Sequence, residues 1–268
     1  MNEETTRPSV TETWPLRPLF SALQDTGEVF LLLGRVFREL PAGLRKIGLV
    51  VEQMAAIGIG SIPLTLIVAL FTGAVAAVQA AYQMRDYVPM IYLGTVIGKS
   101  VVIELGPVLT AIVVGGRVGA SVAAELGTMR VTEQIDAMET MGISPVRYLV
   151  VPRFVAATIM LPILTVFADV IAIFGGYLVA VTSLDITSHT FTSGLKLYFR
   201  MHDVASGIIK AFFFGQIIAT MGCYYGLKSE GGAEGVGLST TKAVVASCVL
   251  ILVVDYLLAS FLFRVLFA

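Results

Sequence analysis

Charge is what this sequence has least of. Only 14% of its 268 residues are Asp, Glu, Lys or Arg, against about 25% in soluble domains, while 56% are apolar and the mean hydropathy is +0.86. There is too little polar surface to clothe an apolar core in water, which excludes a soluble globule. The net charge of −1 gives no footing for nucleic acid, whose binding rests on surplus Lys and Arg. Cysteine is also rare: Cys223 and Cys248 lie inside apolar runs, where a thiol behaves as a small hydrophobe, so a disulfide framework is excluded. The two histidines, His189 and His202, have no second ligand nearby, and a metal site is not expected.

Other signals are missing too. The first residues, MNEETTRPSVTETWP, have neither the basic start and apolar stretch of a cleaved signal peptide nor the arginine-rich character of a transit peptide. Residues 1–15 read as a disordered cytoplasmic tail. No nucleotide-binding loop exists. GTVIGKS at Gly94–Ser100 has three residues between its glycines where the phosphate loop needs four, and no strand precedes it. No nucleophile is paired with a base. The chain is therefore not expected to be an enzyme, and any ATP hydrolysis falls to another polypeptide.

What is present is apolar length. A membrane span needs about 20 apolar residues, and several nearly uncharged runs reach that length. Over 16–42, Leu19, Phe20, Leu23, Phe30, Leu31 and Phe37 recur at helical spacing opposite Arg17, Asp25, Glu28, Arg35 and Arg38, which predicts an interfacial helix ended by Pro41 and Gly43. Residues 53–84 are uncharged and long enough for an elbow plus a first span, with Pro63 separating the two. Gly73, Ala77 and Ala81 form a stripe suited to close helix packing. Tyr82, Tyr87 and Tyr92 around Arg85 and Asp86 form an aromatic belt.

Further spans are expected at about 90–124, bent at Gly106-Pro107; at 148–182, interrupted by Pro162 and Asp169; at 204–227; and at 241–266, capped by Ser239 or Thr240. An external loop over 183–203 and a glycine-rich loop over 228–240 connect them. With the N-terminus inside, twelve Lys and Arg fall on the inner side and four on the outer, which satisfies the positive-inside rule.

Lys99, Glu104, Asp169, Lys210 and Asp255 fall within spans. A charge at mid-bilayer costs roughly 2.5–3.5 kcal/mol on insertion scales, so these side chains should face the protein interior or a wet cavity. Glu104, Lys210 and Asp255 lie on three spans at compatible depths. They are either an ion-paired network that keeps the spans in register or the polar lining of a transport path. Asp203 is either a helix cap or part of that network. Arg117 and Glu125, near an inner span end, snorkel to the interface or steady the following turn.

The stretch from Glu104 to Arg153, ELGPVLTAIVVGGRVGASVAAELGTMRVTEQIDAMETMGISPVRYLVVPR, turns polar at Glu125 without becoming a loop. Val131, Ile135 and Met138 fall at i, i+4 and i+7, with Arg130, Glu133, Gln134, Asp136 and Glu139 around them, which predicts a short amphipathic helix over about 128–141 between two spans. Gly142 can end it, and Ser144-Pro145 suits the start of the next helix. Its acidic residues alone are an ordinary solvated face. Met129, Met138 and Met141 add adaptable apolar contacts suited to docking in a partner's groove.

This block, followed by GGAEGVGLSTTKAVV from Gly231, resembles the signature of the MlaE-type permease family over most of the chain, from about Gly43 onward. The resemblance implies an all-α polytopic membrane protein of about five transmembrane helices, with 43–268 as the permease domain. It implies the permease subunit of an ABC transporter in the bacterial inner membrane, moving phospholipid or a related lipid. Two copies would surround a lipid cavity, with a separate ATPase that holds ATP and magnesium seated on residues 128–141. An MCE-domain protein would stand outside, and in some systems a STAS-domain protein inside. Many relatives carry arginine where this chain has Ile103. The competing class is an ion-coupled secondary transporter using the buried charges as a relay, but the matched broken helices of such proteins are not visible.

Overall fold

A computed structural model describes residues 17–266 apart from Asp86. The expected tail, Leu16 and the Asp86 contribution to the aromatic belt lie outside the described residues. Eight helices and no strand occur among them: α1 (Arg17–Gly43), α2 (Ile47–Met84), α3 (Met90–Val131), α4 (Gln134–Thr140), α5 (Val146–Ser183), α6 (Ser188–Tyr198), α7 (Met201–Leu227) and α8 (Gly232–Leu266). Five of them, α2, α3, α5, α7 and α8, are long and apolar enough to cross a membrane. Helices suit this solvent because each backbone N–H and C=O is satisfied within its own segment. Large side chains such as Phe71, Phe167 and Tyr256 point outward, while much of the interior is alanine, valine and glycine.

Small residues set the spacing between spans. The buried face of α2 runs through Ile57, Ser61, Thr65, Ala69, Gly73, Ala77 and Ala81, one position per turn. It lies along α5, where a Cβ on Gly73 would strike the Ala172 carbonyl and one on Gly175 the Leu70 carbonyl. On α7, Gly215 meets the Ala157 carbonyl of α5, and Gly222 and Gly226 meet the carbonyls of Gly119 and Ala123 on α3. Where lipid is as apolar as the side chains, such backbone approach is a main source of helix association.

Several boundaries depart from the sequence expectation. Pro63 does not divide an elbow from a span: it is exposed within the continuous α2, on the side away from the packed stripe. Pro162 likewise lies inside unbroken α5. The bend at Gly106-Pro107 takes the form of a π-helical turn at Val101–Leu105, and a second π turn occupies Gly115–Gly119. Proline at 107 has no N–H to return to the preceding turn, which favours such a local widening.

The segment 183–203 is not all loop. It contains α6, started by Thr187 accepting from the Thr190 amide and held by buried Phe191, with Gly94 of α3 against the Phe191 carbonyl. The last span begins at Gly232 rather than 241. The reversal is complete by Gly231 and Gly232, both at positive φ, so helix can start there, and Thr240 sits inside it with its hydroxyl on the Gly237 carbonyl.

Gly73→Leu should lower the thermal midpoint of the detergent-solubilised protein through overpacking of about 1–3 kcal/mol. Gly48→Leu, at a site with open space around it, should leave the midpoint unchanged. Equal midpoints for both variants would remove the close-packing account of α2 and α5.

Candidate functional site

Lys210 lies on the part of α7 packed between α3 and α8 and is completely buried. Its Nζ is 2.7 Å from Glu104 Oε1 on α3 and 2.9 Å from Asp255 Oδ1 on α8. Glu104 stands in the first π turn of α3, and its carboxylate remains 45% exposed, against 19% for Asp255. The two contacts are ionic in distance but do not lie along hydrogen-bond directions, and Lys210 Nζ and Asp255 Oδ1 keep unused bonding capacity. Two acids around one lysine leave a formal charge of −1, and the more exposed acid faces outward from the trio. The arrangement can therefore hold three spans together and also present a carboxylate to whatever occupies the adjoining space.

Of the four residues expected along a polar path, these three meet and Asp203 does not join them. Asp203 lies seven residues before Lys210 on α7, about 10 Å along the helix axis. There it is fully buried, accepts the Arg200 amide through Oδ2 at 3.1 Å as a cap, and pairs through the same oxygen with Lys99 of α3 at 3.5 Å. Thus α3 and α7 are joined by ions at two levels. Asp169 is apart from both: it sits on α5 against Gly106, with Oδ1 unpartnered.

The polar segment after α3 has a different form from the single helix over 128–141. Helix α3 runs on to Val131, Glu133 takes a left-handed conformation (φ 61°), and the separate α4 covers only Gln134–Thr140. The Val131, Ile135, Met138 spacing straddles this break and so imitates one helix. At the break, the hydroxyls of Thr128 and Thr132 turn back to the Ala124 and Thr128 carbonyls, Gln134 donates to Thr132 Oγ1 at 3.0 Å, and Arg130 pairs with Asp136 across the turn.

Ile135 is buried and Met138 half-buried, whereas Glu133, Gln134, Asp136, Glu139 and Met141 are exposed. Gly142 (φ 74°) closes α4, its amide on the Glu139 carbonyl and the Ile143 amide on Met138, both at 2.9 Å. This pattern supplies partners for carbonyls left open at the helix end. The result is a compact projection with an acidic and methionine surface.

Below this projection, Arg153 of α5 donates to Glu125 of α3 at 2.8 Å, and Arg117 donates to Ser61 Oγ of α2 at 2.9 Å. Arg117 and Glu125 thus bind different neighbours. The sequence reading missed how α1 is fastened. Lys228, just past α7, reaches Asp25 and Glu28 of α1 at 2.8 Å each, with Tyr224 donating to the same carboxylates, and Arg147 pairs with Glu39 at 2.8 Å. The signal available was the pair Asp25 and Glu28, three apart on the polar side of α1. Their partner lies 200 or more residues away.

Hydrogen bonds from Lys228 and then Tyr224 hold Glu28 at about 2, and Lys228 chiefly holds Asp25 below its usual range; the two carboxylates raise Lys228. The acids, being depressed, contribute above their ordinary range and lose the contribution as pH falls through about 2 for Glu28. The lysine, being raised, contributes below its ordinary range and loses it at still higher pH. The clamp is complete between about pH 5 and 10.

The family model described as Permease MlaE matches residues 50–261. The chain is 44% identical over 219 residues to a probable ABC transporter permease protein of Rickettsia prowazekii, covering 82% of this chain and 85% of that one. It is 40% identical over 235 residues to a probable ABC transporter permease protein of Synechocystis, covering 88% and 89%. It is 33% identical over 245 residues to the intermembrane phospholipid transport system permease protein MlaE of Haemophilus influenzae, covering 91% and 93%.

Removing one member of the charged trio should cost more than removing all of it. Lys210→Met strands two acids and should destabilise the protein by up to ~3 kcal/mol, since breaking a buried pair is worse than replacing it. Glu104→Gln with Lys210→Met and Asp255→Asn should recover most of the loss in thermal melts. For the clamp, Lys228→Met should speed amide exchange over 24–33 several-fold at pH 7 and leave α5 unchanged. An unaltered α1 would show that other contacts hold it.

Proposed function

Since the chain belongs to the MlaE permease family, whose curated relatives are ABC transporter permeases, we propose that it moves phospholipid or a related lipid between the bacterial inner membrane and an MCE-domain protein outside, powered by a separate ATPase. The observation that carries this reading is the match, over 91% of the chain, to an intermembrane phospholipid transport permease. The geometry supplies a route for the work. In this reading, 43–268 forms the permease domain, and the projection around α4 enters a groove of the ATPase, which holds ATP and magnesium. Arg130 and Asp136 brace it while Glu133, Gln134, Met138 and Glu139 make contact.

A push on α4 is delivered to α3, whose two π turns are the places where its ladder is already widened. The first of these carries Glu104. A shift of α3 therefore changes the Glu104–Lys210 contact, and with it the polarity met by a lipid headgroup, while Asp255 keeps Lys210 paired. Asp203 holds the outer end of α7 in place through Lys99.

A second copy of the chain pairs with the first around a central lipid cavity. The most apolar stretch of α8 is only 11% buried within one chain, against 56% for α7. The N-terminus and α4 lie on the cytoplasmic side, consistent with twelve basic residues there. In some such systems a STAS-domain protein also sits on the ATPase.

The test is copurification and lipid movement in reconstituted vesicles. Glu133→Ala combined with Met138→Asp should release the ATPase, and stop ATP-driven lipid transfer, with the thermal midpoint of the permease retained. Undiminished copurification would sink the docking role of α4. Transfer that continues with a hydrolysis-dead ATPase would sink ABC-type coupling altogether.

A further inference from the structure

A groove of about 930 Å³ runs between α1, α7 and α8. Its two ends differ in chemistry. At one end are Asp25, Tyr225 and Lys242, on the side where α7 ends and α8 begins. At the other are Phe213, one turn beyond Lys210 on α7, and Val254, adjacent to Asp255 on α8. Leu33, Ile217, Met221 and Val249 make apolar walls between them. The Thr220 hydroxyl, also on this wall, is turned to the Gln216 carbonyl at 2.7 Å and does not compete for an occupant. From Tyr225 to Phe213 the groove follows α7 for about 18 Å at 1.5 Å per residue. That is close to the hydrocarbon depth of a single leaflet, roughly half of 30 Å.

We propose that this groove is a lateral portal for one phospholipid of the leaflet on the α4 side. Its phosphate lies at Lys242 and an acyl chain runs along α7 as far as Phe213, one turn short of Lys210. The inference rests on the lipid-transport reading and adds to it the leaflet, the helices that form the doorway and the orientation of the cargo. Charge complementarity and depth select a phospholipid over a transmembrane peptide. Lys242 is exposed and has no ion pair among the described residues. The Asp25 carboxylate beside it is already engaged by Lys228 and Tyr224, which leaves Lys242 to meet a phosphate. Helix α1, held at its two ends by Lys228 and Arg147, forms one jamb of the doorway.

The test uses the full chain with its ATPase in nanodiscs containing phosphatidylglycerol that bears a photoreactive group on one acyl chain. Label should concentrate on the groove peptides around Ile217, Met221 and Val249, several-fold above the exposed Ile67 and Phe71 face of α2. Val249→Trp should lower groove labelling and ATP-driven transfer several-fold, and Lys242→Glu should lower labelling, each without loss of ATPase binding. Should Val249→Trp fail to fold, Ala246→Leu provides the milder obstruction.

Labelling equal on α2 and in the groove would overturn the portal, as would a Val249→Cys variant that forms a disulfide with a second copy, because the groove is then a subunit interface. Normal transfer with Val249→Trp would overturn the portal while leaving the transport reading intact. If the unaltered protein moves no lipid with active ATPase, the transport reading fails, and the groove labelling still decides whether a phospholipid binds there.

Discussion

The ammonium of Lys210 is completely buried, and much of the architecture answers to that fact. An isolated cation there would be costly enough to hinder insertion, so three helices bring it two carboxylates. Helices α3, α7 and α8 cannot slide past one another without parting these ions, which fixes their register. Breaking one pair leaves the lysine with the other, so the trio resists separation yet allows a local change of partner. A single buried pair would not offer that combination.

Close packing supplies what the ions do not. Glycines on α2, α5 and α7 bring these helices against neighbouring backbone carbonyls, which leaves them little room to rotate there. Helix α3 carries two π turns within its length, and α5 a third at its start, Val146–Val150. In the proposed coupling, a force received at α4 reaches widened turns on both sides, in α3 and at the start of α5, and the first π turn of α3 carries Glu104. The position of the charged trio and the position of the widened turns are therefore parts of one arrangement.

How much of this was legible in the sequence differs from element to element. Composition and run length were sufficient for five spans, because the bilayer imposes a length that soluble folds do not. The meeting of Glu104, Lys210 and Asp255 was foreseeable, since rare charges at matching depths have few other solutions. The break at Thr132–Glu133 was hidden because Val131, Ile135 and Met138 keep a helical period across a residue of positive φ. Pro63 and Pro162 misled in the opposite direction: tertiary packing of α2 on α5 outweighed their local preference. The start of α8 at Gly232 was obscured by glycines that ordinarily mark loops. The binding of Lys228 to Asp25 and Glu28 left only the acidic pair on the polar side of α1 as a trace, with the partner 200 or more residues away.

Helix α1 is fastened by residues that are made long after it. Its Glu39 awaits Arg147, 108 residues later, and its Asp25 awaits Lys228, 203 residues later. During synthesis it emerges ahead of every span yet has no ionic anchor until the third span begins to appear, and its second anchor comes only when the fourth is complete. Over that interval only its own two-sided character is available to hold it against an apolar surface. The amphipathic pattern of α1 thus serves the order of assembly as well as the finished fold, and a change that spoils it would be felt at the ribosome before the last span is made.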